Sequence, residues 1–195
     1  MKDQFNHLEI ILASRSSRRH ALLRQLEIPF RMTPLDVDET YPSDLEIEKV
    51  AEYISNLKAN AFPEEKIKKN TIVLTADTIV TVDNIILGKP KDEKDAQQML
   101  QKLSGRSHHV ITGVSIRTQE NIRSFSAVTK VFFKELSLKE IDYYIDEYQP
   151  YDKAGAYGIQ EWIGKIGVEK IEGSFYNVMG LPMQQLYKEL CTFTS

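Results

Sequence analysis

A continuous apolar run from Thr71 to Val82 constrains the fold more than any other segment of this chain. It is built almost entirely of Ile, Val, Leu, Thr and Ala, which is typical of a strand buried on both faces of a sheet. The pair Asp83-Asn84 then predicts a turn that returns the chain through Ile85–Leu87 as a hairpin. Helical patterns alternate with such strands, so the sequence predicts an α/β fold with a mixed sheet.

The other elements follow from hydrophobic periodicity and from capping and turn residues. Further strands are predicted at 10–12, from Phe30 onward, at 109–117 and at 122–133. Helices are predicted at 17–26, at 92–103 and at 182–191. Two more helices are predicted to begin at capping boxes, one formed by Ser43 and Glu46 and the other by Ser137 and Glu140. Gly105 is expected to end a helix in a left-handed conformation. The glycine-rich residues 154–171 are expected to contain extended pieces.

Length and composition indicate one domain or two closely joined lobes. The chain has 195 residues, of which 42% are hydrophobic, and a net charge of −3, so neither a nucleic acid nor an anionic membrane surface is expected as a partner. The single cysteine, Cys191, cannot form an internal disulfide. Since there is no signal-peptide pattern and no apolar run long enough to span a bilayer, the predicted location is the cytoplasm.

Asp77 is the strongest candidate for a catalytic residue because it interrupts the apolar run. An ionised carboxylate is costly to bury without a partner, so such a residue usually meets a cation, a metal ion or strong hydrogen-bond donors. Buried acids with perturbed pKa values are concentrated at working sites. The alternatives are a structural aspartate that caps a neighbouring turn and a strand that simply ends at Ala76.

The segment 14–19, with the sequence SRSSRR, lies where the first strand runs into the first helix. The free N–H groups and the positive dipole end of a helix attract anions. Serine hydroxyls cap such a helix, and the guanidinium groups of Arg18 and Arg19 fit phosphate oxygens. A serine-capped surface helix with exposed arginines accounts for the same residues.

Two lysines and an acidic loop are further candidates. Lys58 falls at the edge of the apolar stripe of its helix, from which its ammonium can enter a cleft or reach water. Lys89 follows the hairpin and returns toward Asp77 if the two strands pair closely; otherwise it is an exposed turn lysine. The loop 36–39 offers carboxylates to a divalent cation, or to solvent.

Taken together, these residues describe a site for hydrolysis of a polyphosphate. Cations alone would only bind phosphates, whereas nearby acids add a place for a metal ion and a base for water. The chain has no nucleophile elbow, Walker loop or dinucleotide glycine fingerprint. His108 and His109 lack partners at metal-ligand spacing, so a zinc site is not expected.

These motifs resemble those of the Maf proteins, a family of nucleoside triphosphate pyrophosphatases, over nearly the whole chain. The segment 14–19 is similar to the opening S-x-S-P-R-R motif of the family. Further matches follow in the family's order at Asp38-Glu39, Lys58, Ala76-Asp77-Thr78, Gly88-Lys89-Pro90 and Gly105-Arg106-Ser107-His108. The segment 153–160, KAGAYGIQ, is similar to the subgroup that acts on dTTP and UTP, whereas the subgroup that acts on 7-methyl-GTP differs there.

The resemblance implies hydrolysis between the α- and β-phosphates, which yields a nucleoside monophosphate and pyrophosphate. It implies that Asp77 is the general base for water, and that Glu39 with Asp77 holds a divalent cation, Mg²⁺ or Mn²⁺. Phosphate binding is implied for Ser14, Arg19, Lys58 and Lys89. Substrate choice is implied for Arg18, Thr78 and Gln160.

The resemblance also implies a fold and partners. The fold would be similar to that of inosine triphosphatases, with residues 1–195 forming a single domain of two lobes around a substrate cleft on an elongated mixed sheet flanked by helices. The family implies a homodimer and a link to arrest of septum formation and cell division. The alternatives are a non-catalytic, nucleotide-binding regulator of division and a pyrophosphatase of the 7-methyl-GTP subgroup.

Three residues depart from the family pattern. Ser17 stands where proline is usual, and because serine also caps helices we expect little effect. Arg15 replaces a smaller residue and either contacts phosphate or points outward. Glu161 replaces a common glycine after Gln160, and we expect it to change the rim of the base pocket and so the range of substrates.

Overall fold

The structure, a computed structural model, describes residues 2–194. Its strands are β1 (Glu9–Leu12), β2 (Phe30–Met32), β3 (Thr71–Val82), β4 (Ile85–Leu87), β5 (Ser107–Arg117), β6 (Ile122–Phe133) and β7 (Val168–Glu172). Its helices are α1 (Ser17–Gln25), α2 (Ile47–Asn60), α3 (Glu93–Leu103), α4 (Leu138–Tyr148), α5 (Trp162–Gly167), α6 (Phe175–Met179) and α7 (Met183–Cys191). Short 3₁₀ turns occur at Lys2–Phe5, Glu64–Lys66, Pro150–Asp152 and Ala154–Ala156.

The strands form one seven-stranded sheet in the order β2-β1-β3-β5-β6-β7, and β4 pairs with β3. β1 runs parallel to both β2 and β3, whereas β3–β4 and β6–β7 are antiparallel pairs. The predicted α/β fold with a mixed sheet is therefore confirmed. β3 is buried along almost its whole length, as the apolar run predicts.

The chain divides into two compact units. The first unit comprises Met1–Asp77, Thr112–Ala127 and Gly180–Ser195, and the second comprises Thr78–Ile111 and Val128–Met179. A cluster in the first unit contains Ile11, Ala13, Phe62, Ile67 and Val73. The second unit has a larger core that includes residues of β3, α3, β6 and α4. A single two-lobed domain around one substrate cleft stays a prediction.

The turn and capping signals were mostly reliable. Asp83 and Asn84 have positive φ angles of 51° and 60°, as the hairpin requires. Ser137 and Glu140 form the predicted capping box of α4, and Gly105 is left-handed with φ 66°. No helix in the described residues 2–194 is long and apolar enough to cross a membrane.

Two predictions about helices were wrong. The capping box of Ser43 and Glu46 does not form, because α2 begins at Ile47 and its N-cap, Glu46, makes no side-chain capping bond. The helical spacing of Val50, Ile54, Leu57 and Ala61 predicts one buried stripe on α2, but Ala61 lies past the end of the helix and is exposed. The buried face instead includes the small residues Ala51, Ser55 and Ala59. The glycine-rich stretch 154–171 contains a helix, α5, as well as the start of β7.

Candidate active site

Two parallel neighbouring strands bring the first candidate residues to one edge of the sheet. Leu12 of β1 is in register with Leu74 of β3, and the Ala13 N–H donates to the Leu74 carbonyl at 2.8 Å. Ser14 follows at the carboxyl end of β1, and Asp77 lies a short step beyond Leu74. The carboxyl ends of parallel strands are where α/β sheets usually bind ligands.

Asp77 is buried, and its partner is the ammonium group of Lys58. The Lys58 Nζ atom lies 2.7 Å from Asp77 Oδ1 and 2.8 Å from Glu39 Oε1. The Lys58 and Asp77 side chains are only 14% and 12% exposed, whereas that of Glu39 is 46% exposed. The structure therefore brings together three of the predicted site residues, with one ammonium shared by two carboxylates.

α1 begins beside this group with a well-formed N-terminus. Ser16 is its N-cap, and the Ser16 hydroxyl accepts from the Arg19 N–H. The buried Ser14 hydroxyl accepts from the Ser16 N–H at 3.2 Å. The first turn contains no acidic residue, so nothing there opposes an approaching anion. Ser17 occupies the first helical position, and serine in place of proline leaves the helix start intact.

The backbone of Gly180, the residue at which the last segment of the first unit begins, holds Arg19 in place. The Arg19 Nε atom donates to the Gly180 carbonyl at 2.8 Å. Burial lowers the pKa of Arg19. The negative charges of Asp77 and Glu39 oppose this effect, whereas the neighbouring positive charge of Arg18 adds to it. The guanidinium remains charged because arginine does not deprotonate in proteins. Both arginines and both carboxylates therefore act on one another electrostatically.

The acidic loop contributes only one of its carboxylates to this group. Asp38 instead accepts hydrogen bonds from the Thr40 N–H and hydroxyl, and the hydroxyl bond lowers the Asp38 pKa most. Asp36 pairs with Arg15 at 3.3 Å on the exposed surface. Of the two alternatives for Arg15, the structure shows the outward one.

The remaining predicted residues belong to the second unit. Thr78 follows Asp77 in β3 and is half-buried. Lys89 is exposed in the loop after β4, next to Gly88, whose carbonyl accepts from the Gly155 N–H at 3.0 Å. That bond fastens the Lys89 loop to the segment that carries Gln160. The Gln160 Oε1 atom is buried and has no hydrogen-bond partner among the described residues.

Sequence reasoning missed a polar cluster that surrounds this segment. The Tyr144 hydroxyl donates to Glu161 Oε2 and accepts from the Gly158 N–H, and Lys153 Nζ lies 3.2 Å from Glu161 Oε1. The Glu161 carboxylate is therefore turned toward the interior, and its effect on the rim of a base pocket stays a prediction. The only sequence signal was a lysine and a glutamate at the two ends of a glycine-rich stretch.

Within residues 2–194, no group of three or more His, Cys, Asp and Glu side chains is arranged to hold a metal ion. Glu39 and Asp77 nevertheless present two carboxylates to one cationic group, Lys58. Mg²⁺ is commonly held by one or two carboxylates together with substrate phosphates and water. The donor set therefore fits a divalent cation that arrives with a phosphorylated ligand.

The fold is α/β with a mixed sheet. Its site combines the N-terminus of α1, which can bind an anion, with two carboxylates bridged by Lys58. Such a fold and site define a class of proteins suited to phosphate chemistry. The chain belongs to the Maf family: its residues 9–193 match the family described as Maf-like protein.

Its relatives include dTTP/UTP pyrophosphatases of three bacteria. The protein of Phocaeicola vulgatus is 53% identical over 97% of this chain and 98% of its own length. That of Bacteroides thetaiotaomicron is 51% identical over the same shares. That of Porphyromonas gingivalis strain ATCC 33277 is 49% identical over 99% of this chain and 98% of its own length. The solved Staphylococcus aureus Ham1 protein aligns with a TM-score of 0.45 at 16% identity, over 64% of this chain and 71% of that one.

Proposed function

We propose that this protein is a nucleoside triphosphate pyrophosphatase that hydrolyses dTTP and UTP, and modified pyrimidine triphosphates such as 5-methyl-UTP and pseudo-UTP, to the monophosphate and pyrophosphate. The names of relatives that are about half identical over nearly the full length support this substrate class. The observation that carries the proposal is the buried Asp77 carboxylate, held 2.7 Å from Lys58 beside the N-terminus of α1.

Asp77 is the general base in this proposal. Its Oδ1 atom accepts from Lys58, which fixes the orientation of the carboxylate and assigns Oδ2 to the attacking water. The water gives its proton to Asp77 as its oxygen attacks the α-phosphorus, and the bond to the bridging oxygen breaks to release pyrophosphate. A base must lie within hydrogen-bond reach of the proton that it takes, and the position of Asp77 on the strand β3 supports this role.

The cations bind and neutralise the phosphates. Ser14, Arg19 and the first N–H groups of α1 form an anion-binding corner, and Lys58 and Lys89 add two ammonium groups. The charge that develops on the leaving pyrophosphate needs such preorganised partners. A divalent cation, Mg²⁺ or Mn²⁺, held by Glu39 and Asp77, would add Lewis-acid stabilisation of the phosphate oxygens.

Arg18, Thr78 and Gln160 select the substrate in this proposal. A buried acceptor without a donor costs on the order of 1–3 kcal/mol, and Gln160 Oε1 is such an acceptor. Uracil and thymine present an N3–H donor between two carbonyl oxygens. A pyrimidine base that donates to Gln160 Oε1 and accepts from its amide group would remove that cost.

A pyrophosphate-release assay over a panel of triphosphates with Mg²⁺ or Mn²⁺ tests the proposal. We expect release from dTTP and UTP, loss of turnover in Asp77→Asn, and retained nucleotide binding in that variant. Asp36→Asn is the matched control, because Asp36 pairs with Arg15 on the exposed surface, and it should remain active. Near-normal turnover in Asp77→Asn would refute the base assignment.

The same panel separates the alternatives. No release from any triphosphate would favour a non-catalytic nucleotide-binding regulator of cell division. Release mainly from 7-methyl-GTP would keep the enzyme class and change the subgroup. We also propose a homodimer, which light scattering would test, and a cytoplasmic location, which cell fractionation would test.

A further inference from the structure

The carboxylate of Glu161 lies at the centre of a polar network in the second unit. Its Oε2 atom accepts from the Tyr144 hydroxyl, and its Oε1 atom lies 3.2 Å from Lys153 Nζ. Lys153 Nζ also lies 2.7 Å from Asp152 Oδ1. Lys153 and Glu161 are the first and last residues of the segment 153–161, which we call the Gln160 loop. Their ion pair therefore closes this loop at its two ends.

The backbone of the Gln160 loop is tied to the same network. The Gly158 N–H donates to the Tyr144 hydroxyl at 3.0 Å, and the Glu161 N–H donates to the Gly158 carbonyl at 2.9 Å. A Cβ atom at Gly158 would lie 2.8 Å from the Glu161 carboxyl carbon. The carboxylate thus packs directly on the bare face of Gly158, and Gln160 lies inside the turn that these contacts fix.

Burial makes these contacts strong. Tyr144 is fully buried, and the side chains of Lys153 and Glu161 are only 9% and 19% exposed. Burial and the bond to Glu161 raise the pKa of the Tyr144 hydroxyl far above its usual range, so it remains a donor at any working pH. Buried charged pairs are screened much less than surface pairs.

The geometry points to Glu161 as a positioning residue that, through Lys153 and Tyr144, holds the Gln160 amide in the orientation that selects the nucleotide base. This inference rests on the proposed function, in which Gln160 contacts the base. Buried Gln160 Oε1 has no hydrogen-bond partner among the described residues, so no bond to this oxygen fixes the amide and the backbone on either side contributes to its orientation.

A purely structural ion pair would behave differently. Breaking it would lower stability and reduce the amount of active protein, while KM and substrate preference stayed unchanged. A positioning role moves KM and preference in molecules that remain folded. The chemistry at Asp77 belongs to other elements, so kcat should change much less than KM.

Four variants carry the test: Glu161→Ala, Glu161→Asp, Glu161→Gln and, as control, Glu172→Gln. Glu172 forms an exposed 2.7 Å pair with Lys170 on β7, so its variant makes the same charge change away from the Gln160 loop. For each, kcat and KM are measured with dTTP, UTP and a purine triphosphate. Binding of a non-hydrolysable α,β-imido analogue of dTTP is measured by calorimetry, and folding by thermal unfolding.

We expect Glu161→Ala to raise KM for dTTP and UTP about tenfold, with kcat changed less than about threefold and with a reduced preference over the purine nucleotide. Glu161→Asp should restore part of the preference, and Glu172→Gln should match the wild type. A folded Glu161→Ala with wild-type KM and preference overturns the inference, as does a fall in kcat alone. If Glu161→Ala does not fold, the double variant Lys153→Met, Glu161→Gln carries the same expectation without an unpaired buried charge.

The calorimetric arm separates this inference from the proposed function. A wild-type protein that binds the analogue but releases no pyrophosphate overturns the proposed function alone, and weaker analogue binding by Glu161→Ala then still supports the positioning role. A wild-type protein that neither binds nor hydrolyses overturns both. An active wild type with an unchanged Glu161→Ala overturns the positioning role alone.

Discussion

Gly113→Ala tests whether the close packing of α2 on the sheet sets the geometry of the site. A Cβ atom at Gly113 of β5 would lie 2.3 Å from the carbonyl carbon and oxygen of Ala51 in α2. Carbon atoms in contact prefer a separation of about 3.5 Å, so the helix or the strand must retreat by roughly 1 Å. α2 is the helix whose last turn carries Lys58.

Hydroxyl contacts transmit that shift to the site rather than absorbing it. The Thr75 hydroxyl donates to the Ser55 carbonyl at 2.6 Å, and the Ser55 and Ser115 hydroxyls lie 2.8 Å apart. These bonds fix α2 against β3 and β5, one turn before Lys58. A helix pushed off the sheet would lose them and lengthen the 2.7 Å contact between Lys58 and Asp77.

We expect Gly113→Ala to lower the free energy of unfolding by about 1–3 kcal/mol, the usual cost of overpacking. Misplacement by this amount should reduce kcat/KM by roughly 10- to 100-fold in the folded protein. Urea unfolding and pyrophosphate release, measured below the unfolding transition, check both numbers. Ala51→Gly should not rescue the variant, because the clash is with backbone atoms rather than with the Ala51 side chain.

Gly88→Ala is the control for stability, because a Cβ at Gly88 meets no atom within 4 Å. It should change the free energy of unfolding by less than about 0.5 kcal/mol. If Gly113→Ala proves equally stable and retains wild-type kcat/KM, then contact with β5 does not hold α2 in place, and the argument for the position of Lys58 fails.

Two further predictions concern stability. Burial, with a smaller effect of His109, lowers the pKa of His108 from 6.5 to about 3. As the pH falls, the His108 imidazole is therefore protonated in the unfolded chain before it is protonated in the folded protein. The contribution of neutral His108 to stability is complete above pH 6.5 and is lost as the pH falls toward 3. Between pH 7 and 5.5 the wild type should lose about 1 kcal/mol more than His108→Gln in urea unfolding, and equal losses would contradict the burial argument. Arg117 Nη1 donates to three carbonyls at and just after the end of α2, those of Ala59, Asn60 and Phe62. Arg117→Met should lower the free energy of unfolding by about 1–3 kcal/mol, and Arg117→Lys should lower it by less. Equal urea midpoints for the wild type and both variants would show that these bonds contribute nothing to stability.

Local signals sufficed wherever a residue conflicted with its own neighbours in the sequence. Asp77 stood out as an acid in an apolar run, and it is buried with a cationic partner. Lys58 was placed at the edge of a helical stripe, and its side chain is largely covered there. For Asp77 the cost of burying charge predicted a partner, whereas for Lys58 the helical spacing left a cleft and water as alternatives. The cost of burial did not predict which partner Asp77 has.

Signals failed where the outcome depended on the approach of distant segments. Ser43 and Glu46 have capping-box spacing, but the chain between them forms a turn and α2 starts only at Ile47. The contacts of Glu161 do not follow from its neighbours in the sequence either, and its effect on the rim of a base pocket stays a prediction. The partner of Glu161, Tyr144, lies on α4, and no local pattern connects the two.

The charges of the first unit indicate how a highly anionic substrate is accommodated by a chain whose net charge is −3. The Lys58 ammonium has three N–H donors and is shared by two carboxylates, so its third N–H can donate to a phosphate oxygen. Asp77 is mostly buried on β3, whereas Glu39 is about half exposed on a loop. Moving a loop carboxylate into water costs far less than displacing one from a central strand. The proposed function therefore assigns the third N–H of Lys58 to a phosphate oxygen and any movement of a carboxylate away from Lys58 to Glu39, while Asp77 keeps its orientation toward water.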